Sequence, residues 1–255
     1  MNEATMRAEH EELGGRLAEY CRQYSIPPQH IFDILNDQKV IPMLRGKGLE
    51  YSLILILPTV LNPAAWEVSK LNPNAQPGKP DEDIAVTHKR TGIRLVVESK
   101  SAVRGSMKLG IHTRIHKVPH FRVKCHRSRS NKKLLTNDQY ADSAFDVLMS
   151  NPTNALFAGA TIGEELELIK NPALIQALMQ HYNAANEAAL LEAGAADWRF
   201  VLPPQIAVNG FIPRTPFVLL TNDPHWQPLN QLEAQLTAVV QQREDARRRP
   251  GRSSK

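Results

Sequence analysis

The chain has 255 residues with 31 Lys and Arg against 26 Asp and Glu, a formal net charge of +5. Its 42% apolar and 22% charged residues are those of an ordinary globular protein, long enough to bury a core. No run of about 18 apolar residues predicts a membrane span, "MNEATMRAEHEELGG" has no signal-peptide core, and two cysteines far apart in sequence, Cys21 and Cys125, fit an intracellular reducing compartment.

Residues 3–24 read as a helix, with Leu13, Leu17, Tyr20 and Cys21 at helical spacing, and "SIPP" ends it. "PQHIFDILNDQKVI" reads as a second short helix, and Gly48 to Leu57 as a third that carries Glu50. Pro58 breaks the apolar run "LILILPTV". "LNPNAQPGKP" is a loop. Two strands follow, Ile84 to His88 and Ile93 to Ser99, joined by "KRTG". "HFRVKCHRS" reads as a strand in which Phe121, Val123 and Cys125 alternate with basic residues, and "AFDVLMSN" and "ALFAG" as buried strands. Glu164 to Ala196 should be helical with a boundary at Pro172, the acids of "GEELELIK" marking a solvated helix N-terminus. "FVLLTND" is a late strand, Leu229 to Arg249 a final amphipathic helix, and "RRRPGRSSK" a basic tail. Helices thus flank a mixed sheet, an α/β pattern with added N- and C-terminal helices.

The charge is concentrated. Between His88 and Lys133 there are fourteen Lys and Arg and one acid, Glu98. Five of the nine histidines fall there too. Such a segment is an electrostatic footprint for a polyanion, and its alternative reading is a solvated basic face. The histidines at 112, 116, 120 and 126, with Cys125, match no finger or ribbon spacing, which speaks against zinc. No P-loop, GxGxxG or nucleophile elbow supports a nucleotide cofactor or a serine hydrolase.

"KPDEDIAVTHKRTGIRLVVESKSA" carries the chemistry. If "KRTG" is the turn, Val86 faces Leu95, Ile84 faces Val97, Asp83 faces Glu98 and Asp81 faces Lys100. Directly opposed residues share a side. Asp81, Asp83, Glu98 and Lys100 would then gather at the open end of the hairpin, with Glu82 turned away. Facing carboxylates repel, and a divalent cation such as Mg²⁺ compensates them. Metal, metal-activated water and an adjacent lysine suffice to hydrolyse a phosphodiester. A plain ion-paired surface hairpin is the alternative, and a shift of two in pairing would set Asp83 against Lys100.

"PDEDIAV…LVVESK" resembles the signature of the PD-(D/E)xK nuclease superfamily, with "PD" at Pro80-Asp81 and "ExK" at Glu98-Ser99-Lys100. Its context is similar to that of type II restriction endonucleases. The resemblance implies a restriction-endonuclease-like mixed sheet, Mg²⁺-dependent cleavage of double-stranded DNA, and a homodimer that cuts both strands. It implies Asp83 or Asp81 as first metal ligand, Glu98 as second, Lys100 as catalytic lysine and Glu50 as an assisting acid. Pairing geometry favours Asp83 over Asp81. The expected organisation is a helical region at 1–45, a nuclease core at 46–225, and a C-terminal helix and tail at 226–255. DNA contacts are expected from segment 104–133: Arg104, Lys108, Arg114, Lys124, Arg127, Arg129, Asn131 and Lys133. A nuclease of repair, recombination or mobile-element defence, and a non-catalytic nucleic-acid-binding protein, are the other readings.

Overall fold

The structure is a computed structural model, and it describes residues 3–37, 39–70, 84–110, 118–126, 138–158 and 167–248. These residues divide into two compact units, one of residues 3–45 and one that runs from residue 46 onward. The first unit opens with α1 (Glu3–Gln23), a 3₁₀ turn at Pro28–His30 and α2 (Ile31–Leu35). A third helix, α3 (Val40–Val60), begins there and continues into the second unit. It is twice as long as the sequence suggests, because it starts eight residues earlier, at Val40, and because Pro58 stays within the helix instead of ending it.

The second unit is built on two sheets and a short ribbon. In chain order its strands are β1 (Trp66–Lys70), β2 (Ile84–His88), β3 (Ile93–Ser99), β4 (Lys108–Leu109), β5 (Pro119–Arg122), β6 (Val147–Ser150), β7 (Phe157–Ala158) and β8 (Glu167–Leu168). Two helices follow, α4 (Pro172–Tyr182) and α5 (Glu187–Ala196), then β9 (Arg199–Val201), β10 (Phe217–Leu219), β11 (Gln227–Pro228) and α6 (Leu232–Arg248). The central sheet has the order β1-β2-β3-β6-β9-β11, and a three-stranded sheet has the order β10-β5-β4. In the central sheet β3 and β6 run parallel and the other pairs antiparallel. This is the mixed sheet flanked by helices that the sequence predicts.

Side-chain alternation on β3 organises the core. Ile93, Leu95 and Val97 pack with Leu53 and Leu57 of α3, Leu232, Leu236 and Val240 of α6, and Trp198 and Phe200. Val96 belongs to the other side, with Leu148, Leu174, Leu178, Leu190 and the inward residues Phe121, Val123 and Cys125. The central sheet is therefore covered on both faces, which explains why its strands are so apolar. α6 takes part in this core instead of forming a separate appendage, and Glu233 accepts a bond from the Trp66 indole at 3.2 Å.

Local chemistry sets the element ends. The His88–Ile93 pair closes the β2–β3 ladder, and the Lys89–Gly92 loop joins the strands. Gly92 has φ +63, a left-handed conformation that a β-carbon penalises. Asn171 caps α4 by accepting the Leu174 amide at 3.1 Å, with Pro172 in the first turn. Asn186 caps α5 in the same way through Ala189. Between the helices Asn183 is left-handed, and a network ties their far end down: Tyr182 donates to Asp197 at 2.7 Å, and Arg199 grips the same carboxylate at 2.6 and 3.0 Å.

Three expectations are corrected here. Glu167 and Leu168 form a strand against β7, so the last part of "GEELELIK" is not a helix start and α4 begins at Pro172. The Ala-rich stretch is two capped helices rather than one. "ALFAG" begins inside a 3₁₀ turn, Thr153–Leu156, before two strand residues. Leu57 is fully buried under this sheet, and Leu57→Ala should lower unfolding free energy by about 2–5 kcal/mol, against about 1 kcal/mol for Gly92→Ala, in urea denaturation followed by circular dichroism.

Candidate active site

The β2–β3 register is the one derived from the turn: Ile84 opposes Val97, Ala85 opposes Val96, Val86 opposes Leu95. The hairpin's open end is thus at Ser99. Asp81, Glu82 and Asp83, two of them the acids expected to be the first metal ligand, lie outside the described residues.

Glu98 and Lys100 come together there. Glu98 pairs with Leu148 across the parallel β3–β6 contact, which sets it on the Leu148 side of the sheet, and it is only 4% exposed. A carboxylate at such depth is costly unless charge-paired. Lys100 supplies the pair, its ammonium bonding Glu98 Oε1. The Lys100 amide donates to Met149 O at 2.9 Å, so the backbone stays in ladder geometry past the end of β3. The same ammonium stands 5.0 Å from the centre of the Tyr140 ring, a cation–π contact. Tyr140 in turn packs edge-on against Phe145 at 5.5 Å.

Glu50 is placed differently. It lies on the face of α3 that also carries Leu53 and Leu57, and those residues pack on the opposite side of the sheet from Glu98. It is nevertheless at the same end of the sheet. Its neighbour Tyr51 receives the Lys70 ammonium at 4.0 Å, and Lys70 opposes Ile84 at the open end. Glu50 is 6% exposed, and Lys47 donates to both of its oxygens at 2.7 and 2.8 Å.

Cys125 is a neighbour that motif spacing could not reveal. It is buried, and desolvation pushes its thiol up to about 12, moderated by the Lys100 ammonium and reinforced by the Glu98 carboxylate. Nearby, Arg214 pairs with the buried Asp138, and Arg214 O accepts the Cys125 amide at 2.8 Å. Neither Tyr140 nor Arg214 carries a sequence signal that ties it to Glu98-Ser99-Lys100.

Of the expected DNA contacts, Arg104 is half-buried in the turn before β4, Lys108 is exposed on β4, and Lys124 is exposed just past β5. Arg114, Arg127, Arg129, Asn131 and Lys133 lie outside the described residues, as do His112 and His116. Among the described residues no group of three or more His, Cys, Asp or Glu could hold a metal ion. Among them also, no helix is long and apolar enough to cross a membrane.

No protein-family model matches the chain, and no curated protein matches it. A solved structure with some likeness is that of a bacterial homing endonuclease, I-Ssp6803I, at 15% identity over 60% of this chain and 95% of that one, with a TM-score of 0.28. Overlap at that score does not define a shared fold. The class that the coordinates themselves define is a mixed-sheet α/β protein with a buried glutamate paired to a partly exposed lysine at the end of an interior strand.

The Cys125 thiol should resist alkylation. At pH 8, iodoacetamide should leave Cys125 unmodified in the native protein over hours and label it fully in denaturant, as read by peptide mass mapping. Rapid native labelling would contradict its burial and raised pKa.

Proposed function

We propose that the protein is a Mg²⁺-dependent endonuclease of the PD-(D/E)xK kind that hydrolyses phosphodiester bonds of double-stranded DNA, as a homodimeric type II restriction enzyme. The observation that carries the reading is the buried Glu98 carboxylate with the Lys100 ammonium on it, at the open end of a hairpin of known register. Asp83 immediately precedes β2 in sequence, and the acids at this end suit a hard divalent cation, which takes carboxylate oxygens. Glu98 and Asp83, with Asp81 as the alternative, would hold Mg²⁺. Bound there, the ion supplies charge neutralisation at the scissile phosphate and acidifies its water.

The chain's own groups do the remaining work. Glu98 sits on an interior strand between β2 and β6, so its carboxylate is fixed by the sheet rather than by a loop. Lys100, two residues on along the same side, can donate to a phosphate oxygen or to the attacking water and offset charge that develops in the transition state. The Tyr140 ring holds that ammonium in place without a counter-charge that would compete for it. Glu50, engaged by Lys47 at the same end of the sheet, is the expected assisting acid.

Lys100→Ala and Glu98→Gln should each slow single-turnover cleavage of plasmid DNA by at least about a hundredfold. Both should keep a wild-type circular dichroism spectrum and bind DNA. A folded Lys100→Ala protein that cuts at the wild-type rate would remove the assignment.

A further inference from the structure

We infer that the strand centred on β5 is a track for one backbone strand of DNA. The track uses His120, Arg122 and Lys124, with Lys108 and Phe217 beside it. The inference rests on the DNA reading above for its partner, and on the following geometry for its place.

From Pro119 to His126 the chain alternates strictly. Pro119, Phe121, Val123 and Cys125 are buried, while His120, Arg122, Lys124 and His126 point outward. Of the inward set, Phe121, Val123 and Cys125 belong to the apolar cluster beneath the sheet. The extended backbone continues past β5 because both of its edges are bonded. On one side Arg122 O accepts the Val103 amide at 2.7 Å and the Lys124 amide donates to Ser101 O at 3.0 Å. On the other, the Val123 amide donates to Pro216 O at 3.0 Å and the Cys125 amide to Arg214 O at 2.8 Å. The row of cations is therefore held rigid by its own ladder and by the core below it.

The flanking strands extend the same face. Lys108 opposes His120 in β4, and Phe217 opposes Arg122 in β10, so both share the outward side. Phe217 is 53% exposed and meets the His120 ring edge at 5.7 Å. An exposed phenyl ring inside a cationic row is poorly explained as a solvated surface, but it fits a face that meets nucleotides, whose sugars and bases offer apolar contact between phosphates.

Charge and spacing select the occupant. There is no acidic residue between Glu98 and Asp138, so β4, β5 and the connections around them carry cations alone. Alternate residues of a strand are about 6.7 Å apart, close to the separation of successive phosphates along one nucleic-acid strand. A rigid row at that period matches a polyanion with a regular repeat. The row lies beside the segment that follows Lys100, since the Lys124 amide donates to Ser101 O, while Lys100 stands opposite Cys125 on the inward side.

The test is DNA binding by fluorescence anisotropy in EDTA, with a labelled 20-base-pair duplex across roughly 50 to 200 mM KCl. Arg122→Ala/Lys124→Ala should bind about tenfold more weakly than wild type, and its log–log salt slope should be lower in magnitude by about two. Arg122→Gln/Lys124→Gln serves as a second pair should the alanine protein fold poorly. Phe217→Ala should weaken binding with an unchanged slope, since an apolar contact releases no counterions. Arg16→Ala/Arg247→Ala, with its cations on α1 and α6, should bind like wild type. Wild-type affinity and slope in the 122/124 proteins, or an equal loss in the 16/247 control, overturns the track. So does a wild-type protein that binds no duplex. Cleavage is read separately: slope loss as expected with no Mg²⁺-dependent cutting by wild type keeps the track and removes the nuclease reading.

Discussion

A carboxylate on an interior strand of a sheet covered on both faces must be neutralised where it stands. Glu98 is that carboxylate, and Lys100 answers it from two residues along the same strand. Because the two share a side of β3, their juxtaposition needs no loop and no distant partner. It needs only that β3 keep its register with β2 and remain in ladder geometry past Ser99. The observed pairing and the Lys100–Met149 hydrogen bond meet both conditions. Tyr140 then fixes the ammonium from outside the strand.

The same alternation divides the molecule's labour. Odd-numbered residues of β3 feed the apolar cluster under α3 and α6, which stabilises the sheet. Even-numbered residues face the side where Cys125, Leu148 and the second sheet lie. On that side the strand from Pro119 to His126 repeats the pattern with opposite purpose, apolar inward and cationic outward. One rule, two-residue periodicity in extended chain, thus sets the buried acid, its lysine and the cationic row in fixed relation. α3 brings Glu50 to the same end from the other face, where Lys47 engages it.

The hairpin was legible in the sequence because its signals are local. A glycine-ended turn between two apolar strands determines the pairing, and pairing determines which charges face one another. α4, α5 and α6 were legible as helical content, although the caps at Asn171 and Asn186 that split the Ala-rich stretch were not recognised. β1 and β9 were missed because Trp66–Lys70 and Arg199–Val201 are short and their strand character depends on neighbours distant in sequence. α3 runs on through Pro58 because apolar packing of Leu53, Leu57 and Leu61 sustains it. Tyr140 and Cys125 are near Lys100 only through tertiary contact, which no spacing encodes. Asp81 and Asp83 lie outside the described residues, so the choice between them still rests on pairing geometry alone.

The central claim is that the Glu98–Lys100 end of β3 is a metal-dependent DNA-cutting site. The most direct measurement is incubation of the purified wild-type protein with phage DNA and Mg²⁺, with and without EDTA, followed by sequencing of fragment ends. A metal-dependent, sequence-specific site gives discrete ends that share one short sequence, and intact DNA when EDTA is present. Intact DNA in Mg²⁺ and in Mn²⁺, from protein that is folded and binds duplex, would contradict it.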